Sequence, residues 1–129
     1  MKRLINIAAA LLVALAAQPL LATGPHGTWT WTTVVDQEVR VSTLKLKFDS
    51  EGKTLEGYFC PSQREQIVPL TRAIYRDGDI TVTVVMEHQG QKYEVTFQGS
   101  RSGHEIFGTR TIVFEGKTYV AQWSASRWR

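Results

Sequence analysis

The sequence is poor in cysteine, in net charge and in helical periodicity. Cys60 is the single cysteine, so no disulfide can form within one chain and packing alone must hold the fold. Its thiol is then either buried and inert or free. Without Lys2 and Arg3, 13 of the 15 Lys and Arg residues remain against 12 Asp and Glu. This near balance argues against nucleic acid or an anionic membrane surface as the main partner.

The N-terminal segment is typical of a secretory signal peptide. Met1-Lys2-Arg3 is positively charged, Ile5 to Leu21 is almost entirely apolar, and a polar, turn-rich segment follows Ala22. The small residues Ala16 and Ala22 both suit cleavage. An uncleaved anchor is the alternative, but the apolar run is short for a membrane span. We therefore predict a signal peptide over residues 1–22 and a secreted or periplasmic product without stable membrane insertion after cleavage.

Residues 23–129 are long enough for one domain with a modest core and too short for two. From Gly27 onwards, β-branched and aromatic residues alternate with polar ones, turn residues recur regularly, and no window has a sustained helical period. We predict an all-β domain: an eight-stranded antiparallel up-and-down β-barrel, whose interior takes side chains or one small ligand. The first two strands are expected at residues 27–35 and 38–48.

Two positions depart from regular alternation. In the second strand, apolar residues change phase between Val41 and Leu44, which predicts a β-bulge near Ser42-Thr43. The fourth strand, residues 67–75, contains Pro69 and is expected either to bulge or to lose ladder bonding there. A weak internal echo also links residues 54–57 with 105–108, since each segment follows a turn and ends in glycine.

The first and last strands carry a candidate closed-end group. Gly27-Thr28-Trp29 begins strand one, and Arg127 ends strand eight. Because every strand reverses direction and closure makes the first and last strands neighbours, Arg127 is expected to lie over the Trp29 indole. Gly27 would leave room for that approach.

This combination resembles the signature of the calycins, the superfamily of lipocalins, fatty-acid-binding proteins and avidins. The resemblance implies a barrel whose closed end is plugged by this tryptophan–arginine pair. The phrases "DGDITVTV", "YEVTFQGSRSGHEIFGT" and "WSASR" also resemble small secreted bacterial barrel modules. The chain also resembles calycin-like periplasmic metalloprotease inhibitors in size, export and a Gly-x-Trp start. This resemblance implies a second candidate function, in which the N-terminal segment binds a partner protein.

The inward phase of the strands selects candidate ligand-binding residues. Arg110 shares its phase with Ile106, Gly108 and Ile112, and a buried guanidinium needs an anionic or carbonyl partner. A bulge after Gly108 would instead turn Arg110 to solvent. Arg72 is a second inward candidate. The expected aromatic-rich lining near the open end, which either fills the barrel or borders a cavity, comprises Trp31, Phe59, Met86, Tyr93, Tyr119 and Trp123.

Catalytic and metal chemistry find little support in the sequence. The three histidines, His26, His88 and His104, fall at separate places in the predicted barrel and do not converge as metal ligands. A thiol–imidazole pair of Cys60 and His88 lacks an orienting third group. We therefore expect no catalytic residues, no metal and no cofactor.

Two functions remain from different classes. The first is an exported non-enzymatic barrel that binds a small hydrophobic or amphiphilic ligand, with any acidic head towards Arg110. The second is a protein-interaction module, such as a periplasmic protease inhibitor, that acts through the open-end loops and the lead at residues 23–26.

Overall fold

The computed structural model describes residues 24–49, 54–62 and 66–128, and the predicted signal peptide lies outside them. The described residues form strands and turns without a helix, so the predicted all-β class is confirmed. The strands are β1 (Gly27–Val35), β2 (Glu38–Phe48), β3 (Leu55–Cys60), β4 (Val68–Pro69), β5 (Arg72–Arg76), β6 (Asp79–His88), β7 (Gln91–Ser102), β8 (Glu105–Phe114) and β9 (Lys117–Arg127).

All nine strands belong to one curled antiparallel sheet. Their order is β4-β3-β2-β1-β9-β8-β7-β6-β5, so the first and last strands are neighbours, as expected. The hairpins β1–β2, β6–β7, β7–β8 and β8–β9 pair over nearly their full length, whereas β1 and β9 pair at two positions, Trp29↔Arg127 and Thr30↔Ser126. The sheet therefore consists of two sequential meanders joined at a short junction.

The predicted fourth strand is divided into β4 and β5, which raises the strand number from eight to nine. Pro69 has no backbone N–H, and the chain changes partners directly after it. The Leu70 N–H donates to the Gly57 carbonyl oxygen at 3.2 Å, and the Thr71 N–H donates to that of Thr83 at 2.9 Å. One segment thus bonds to β3 on one side and to β6 on the other.

The predicted bulge in β2 is wrong. The β1–β2 register runs without interruption from Gly27↔Leu46 to Val35↔Glu38. Ser42, Leu44 and Leu46 are buried in one phase, and Val39 is exposed. The inward series continues through Ser42 because its hydroxyl donates to the Pro61 carbonyl oxygen at 2.9 Å. A hydroxyl group that has a hydrogen-bond partner can occupy an inward position. The spacing of the apolar residues had instead predicted that Val41 points inward.

In the part of the chain that the structure describes, four hairpins turn through two residues that both have positive φ, the conformation of type I′ turns. They are Asp36-Gln37, Asp77-Gly78, Gln89-Gly90 and Glu115-Gly116. Three of them place glycine second, whereas the first places Gln37 there with a φ of 66°. The Asp36-Gln37 turn is therefore the most strained of the four.

The concave side of the sheet buries one hydrophobic core. Its members alternate along the strands with exposed residues, as a sheet with one buried face requires. The core comprises Trp29, Leu44, Leu46, Leu55, Phe59, Ile80, Val82, Val84, Met86, Val95, Phe97, Ile106, Trp123 and Ala125.

Candidate functional site

Trp29 and Arg127 close one end of the curled sheet. Trp29 is completely buried, and its Nε1–H donates to the Pro25 carbonyl oxygen at 2.8 Å. The Arg127 guanidinium carbon lies 4.6 Å from the centre of the indole. Arg127 also donates from Nη1 to the His26 carbonyl oxygen at 2.7 Å and from Nη2 to that of Gly103 at 3.1 Å. These bonds join the lead, β1, the β7–β8 turn and β9.

The close approach of Arg127 requires glycine at position 27. A β-carbon added to Gly27 would lie 3.1 Å from the Arg127 side chain, and its φ is +127°. Burial, followed by the positive charge of Arg101, lowers the pKa of Arg127. Arg101 donates to the same Gly103 carbonyl at 2.9 Å, so two guanidinium groups converge on one oxygen. This end of the sheet is structural in character.

A cavity of about 250 Å³ lies on the opposite side of the core from this closed end. Its walls combine aromatic and aliphatic side chains with two guanidinium groups, and none of its described lining residues is acidic. Trp31, Phe59, Met86, Tyr93 and Arg110 from the predicted set all line it. The remaining lining residues are Thr33, Arg40, Ser42, Pro61, Val95, Phe97 and Ile112.

Arg110 is the inner cation of this cavity. Continuous pairing of β8 places it opposite Phe97 on one side and Ala121 on the other, without the alternative bulge after Gly108. Its Nε is buried and has no hydrogen-bond partner among the described residues. A buried N–H without an acceptor is unfavourable, so an acceptor brought by a ligand would be held strongly at this position.

Arg40 is the second cation and was missed by the sequence reasoning. It lies opposite Thr33 near the open end, half-exposed, with a loose 3.9 Å ion pair to Glu38. The expected bulge had placed Val39 and Val41 inward and therefore Arg40 outward. The unbroken pairing with β1 reverses this assignment. The Thr33 and Arg40 pair, rather than two valines, forms the rim of the cavity.

Four aromatic rings pack on one another beside the cavity and are called the aromatic cluster: Trp31, Phe59, Phe97 and Trp123. Trp31 stacks on Phe59 with 5.8 Å between ring centres and meets Trp123 edge-on at 5.4 Å. Phe97 contacts each of the other three rings. Trp123 is buried in the cluster and does not line the cavity itself. The cluster gives the cavity a flat, polarisable wall.

Tyr119 lies in a second space, called the outer cleft, of about 260 Å³. His88, Phe114 and Tyr119 line it together with Tyr93 and Ile112, which also line the cavity. Tyr119 is 53% exposed although its phase in β9 is inward. The outer cleft therefore continues the cavity towards the open end.

The inward assignment of Arg72 is wrong. Arg72 is exposed on β5, and the inward residues of this strand are Ala73 and Tyr75, which pack against the core. Leu70 is inward on the other side of the break, so the phase shifts between Leu70 and Ala73. The change of partner strands after Pro69 causes this shift, and it removes Arg72 from the ligand-binding candidates.

The structure does not assemble the alternative chemical groups. Cys60 ends β3 in the outward phase next to inward Phe59, whereas His88 lines the outer cleft. No group of His, Cys, Asp or Glu within residues 24–49, 54–62 and 66–128 is arranged to hold a metal ion. The same ranges contain no helix long and apolar enough to cross a membrane.

The site is thus a small cavity with an aromatic wall, an inner cation and a rim cation, on a sheet closed at the other end by Trp29 and Arg127. Comparison of the chain with protein-family models, with curated proteins and with solved structures finds no match.

Proposed function

We propose that this chain is an exported, non-enzymatic binding protein for a small amphiphilic molecule, whose acidic group pairs with Arg110 and whose apolar part lies against the aromatic cluster. The observation that carries the proposal is the buried Nε of Arg110, unpartnered among the described residues, in a cavity with no acidic lining residue. Such a cation is stabilised by an incoming anion.

The dimensions of the cavity restrict the ligand. About 250 Å³ is below the roughly 300–1,000 Å³ of sites for drug-sized molecules. A larger ligand would extend past Tyr93 and Ile112 into the outer cleft, which adds apolar surface. The ligand class is therefore an anion with a compact ring system or a short chain, rather than a bulky lipid.

We also propose that the curled sheet is a calycin-like barrel. Support comes from the Gly27, Trp29 and Arg127 arrangement and from the segment after Pro69, which bonds to both β3 and β6. The alternative of a protease inhibitor with a free N-terminal lead has less support. Pro25 is fully buried, and the carbonyl groups of Pro25 and His26 accept bonds from Trp29 and Arg127.

Paired fluorescent probes test the ligand class. Anilinonaphthalene sulfonate is an anionic aromatic amphiphile, and phenylnaphthylamine has the same rings without the sulfonate. We expect Arg110→Met to weaken binding of the sulfonate about tenfold or more, because a charge-assisted hydrogen bond contributes about 1.5–3 kcal/mol. Binding of the neutral probe should be nearly unchanged. Titration of probe fluorescence measures both affinities.

Arg72→Ala is the matched control, because it removes an exposed guanidinium outside the cavity. It should leave the affinity of both probes unchanged. Equal weakening of sulfonate binding by Arg72→Ala and Arg110→Met would show a general charge effect and would refute the proposed site. The absence of any probe binding to the unmodified protein would argue against the binding function itself.

A further inference from the structure

The pairing between β1 and β9 covers only a short part of each strand. Pairing includes Trp29↔Arg127 and Thr30↔Ser126 and does not continue along β1 towards the open end. A groove of about 340 Å³ separates the strands beyond this point, and it is lined by Thr30, Trp31, Thr32, Val41, Ser124 and Ser126. We call this groove the seam.

The two strand edges at the seam are chemically suited to each other. Exposed edges usually carry charged residues or proline, which prevent unwanted pairing. Residues 31–34 and 118–124 contain neither. If the existing register continued, Thr32 would face Ser124 and Thr33 would face Trp123. The outward pairs would then be Thr30 with Ser126 and Thr32 with Ser124, and hydroxyl residues of this kind form favourable cross-strand pairs.

The seam also opens the ligand cavity on one flank. The described lining residues of the cavity come from β1, β2, β3, β6, β7, β8 and Pro61, and none comes from β9. Ala121 lies directly beside Arg110 in the sheet and is nevertheless exposed. The inward residues of β9 that precede the buried Trp123, Tyr119 and Ala121, therefore border an opening instead of a wall.

We propose that the seam is a lateral gate: ligand enters beside Arg110, and β1 then pairs with β9 in the continued register, which completes the wall around it. This inference rests on the proposed function and adds a ligand-dependent change to it. Closure brings the exposed Ala121 towards the cavity and gives the free backbone groups of both edges hydrogen-bond partners. A bound molecule favours the closed state because it gains contact with Ala121 of β9 only there.

Disulfide trapping tests the gate in protein that carries Cys60→Ser. The test pair is Thr32→Cys with Ser124→Cys, which the continued register places opposite each other within the Cα range of about 4.4–6.8 Å that a disulfide spans. Thr30→Cys with Ser126→Cys is the positive control, because these residues are already paired. Thr32→Cys with Gln122→Cys is the off-register control. Apart from the half-buried Thr30, these positions are exposed, so the changes should not prevent folding.

The rate of intramolecular disulfide formation is measured by mass spectrometry under mild oxidation, with and without anilinonaphthalene sulfonate. We expect the test pair to oxidise at least about tenfold faster with probe, a change that corresponds to about 1.4 kcal/mol in favour of the closed state. The positive control should oxidise rapidly in both conditions, and the off-register control slowly in both.

Probe fluorescence in the same samples separates the two hypotheses. Probe binding without a change in the test-pair rate would overturn the gate and leave the binding function intact. Equal acceleration of the off-register pair would also overturn the gate, because closure would lack the required register. A covalent dimer in place of the intramolecular bond would overturn it by showing that the edges pair between two chains. No binding to any variant would refute the proposed function, and the gate with it.

Discussion

The Arg127 guanidinium lies over the Trp29 indole, 4.6 Å from the ring centre, and bonds to carbonyl groups on two different segments. The pair connects the first and last strands at the end of the sheet where these two strands pair. It therefore holds the two meanders together, and the stability of the whole sheet should depend on it.

Replacement of Arg127 tests how much this contact contributes to stability. We expect Arg127→Ala to lower the free energy of unfolding by about 2–3 kcal/mol, because a partly desolvated cation–π contact and two hydrogen bonds are lost. Arg127→Lys should recover only part of this, since a point charge cannot reach both carbonyl groups. Urea denaturation measures the change, with the exposed Arg76→Ala as control. A lysine variant as stable as the unmodified protein would contradict the prediction.

Gly108 should tolerate no side chain. A β-carbon there would collide with the Gln98 carbonyl oxygen and with the Gly99 α-carbon on the neighbouring strand. We expect Gly108→Ala to destabilise the protein by at least about 2 kcal/mol through overpacking. Gly90→Ala, in a turn with open space around it, should cost about 1 kcal/mol or less. Similar thermal stabilities for the two variants would exclude a close backbone contact at Gly108.

The Asp36-Gln37 turn can be improved. Gln37 has a φ of 66° in a type I′ turn, where glycine is favoured. We expect Gln37→Gly to raise the free energy of unfolding by about 0.5–1 kcal/mol, because relief of the left-handed strain exceeds the added chain entropy. The reverse change, Gly116→Gln, in the corresponding turn of β8 and β9 should lower it by a similar amount. Denaturation midpoints that move in the same direction would contradict this account.

Arg110 should reduce stability in the absence of ligand. Its Nε is buried without a hydrogen-bond partner in the described part of the chain, so an apolar side chain of similar length avoids that penalty. We expect ligand-free Arg110→Met to be as stable as the unmodified protein or more stable by about 1 kcal/mol. Calorimetric melting tests this. A large loss of stability would instead identify Arg110 as a structural residue.

Sequence alternation predicted the regular parts of the sheet well. The bounds of β1 and β2 agree with the prediction because turn residues and alternating apolar residues both mark them. Alternation also placed Arg110 inward, since β8 pairs without a bulge on both sides. These features depend on neighbours that are close along the chain.

The errors arose where distant segments determine the phase. Ser42 is inward because the Pro61 carbonyl accepts its hydroxyl, a contact that no local pattern contains. Arg40 has the same inward phase as Ser42, and the sequence pattern therefore did not predict it as a lining residue. Arg72 was misplaced because the chain after Pro69 leaves β3 for β6 and changes phase as it does so. The cavity itself depends on how far the sheet curls, which alternation does not specify.

The division of the sheet into two meanders determines how the chain reaches this fold. Residues 27–69 and residues 72–127 each pair strand with next strand, so their loops are short and close at little entropic cost. The two meanders share one local feature, since a β-carbon added at Gly57 or at Gly108 would collide with a carbonyl oxygen of the adjoining strand. Their junction joins residues up to 101 positions apart, so we expect it to form last.

Late formation of the junction has a consequence for concentrated protein. Until Trp29 and Arg127 meet, each meander presents an edge strand with an uncharged stretch, residues 31–34 or 118–124, to solvent. The meander of another molecule fits this edge as well as its own does. The same contacts that complete the monomer can then join two chains by exchange of halves. The protein concentration during refolding therefore determines how much of the product is monomer and how much is swapped dimer.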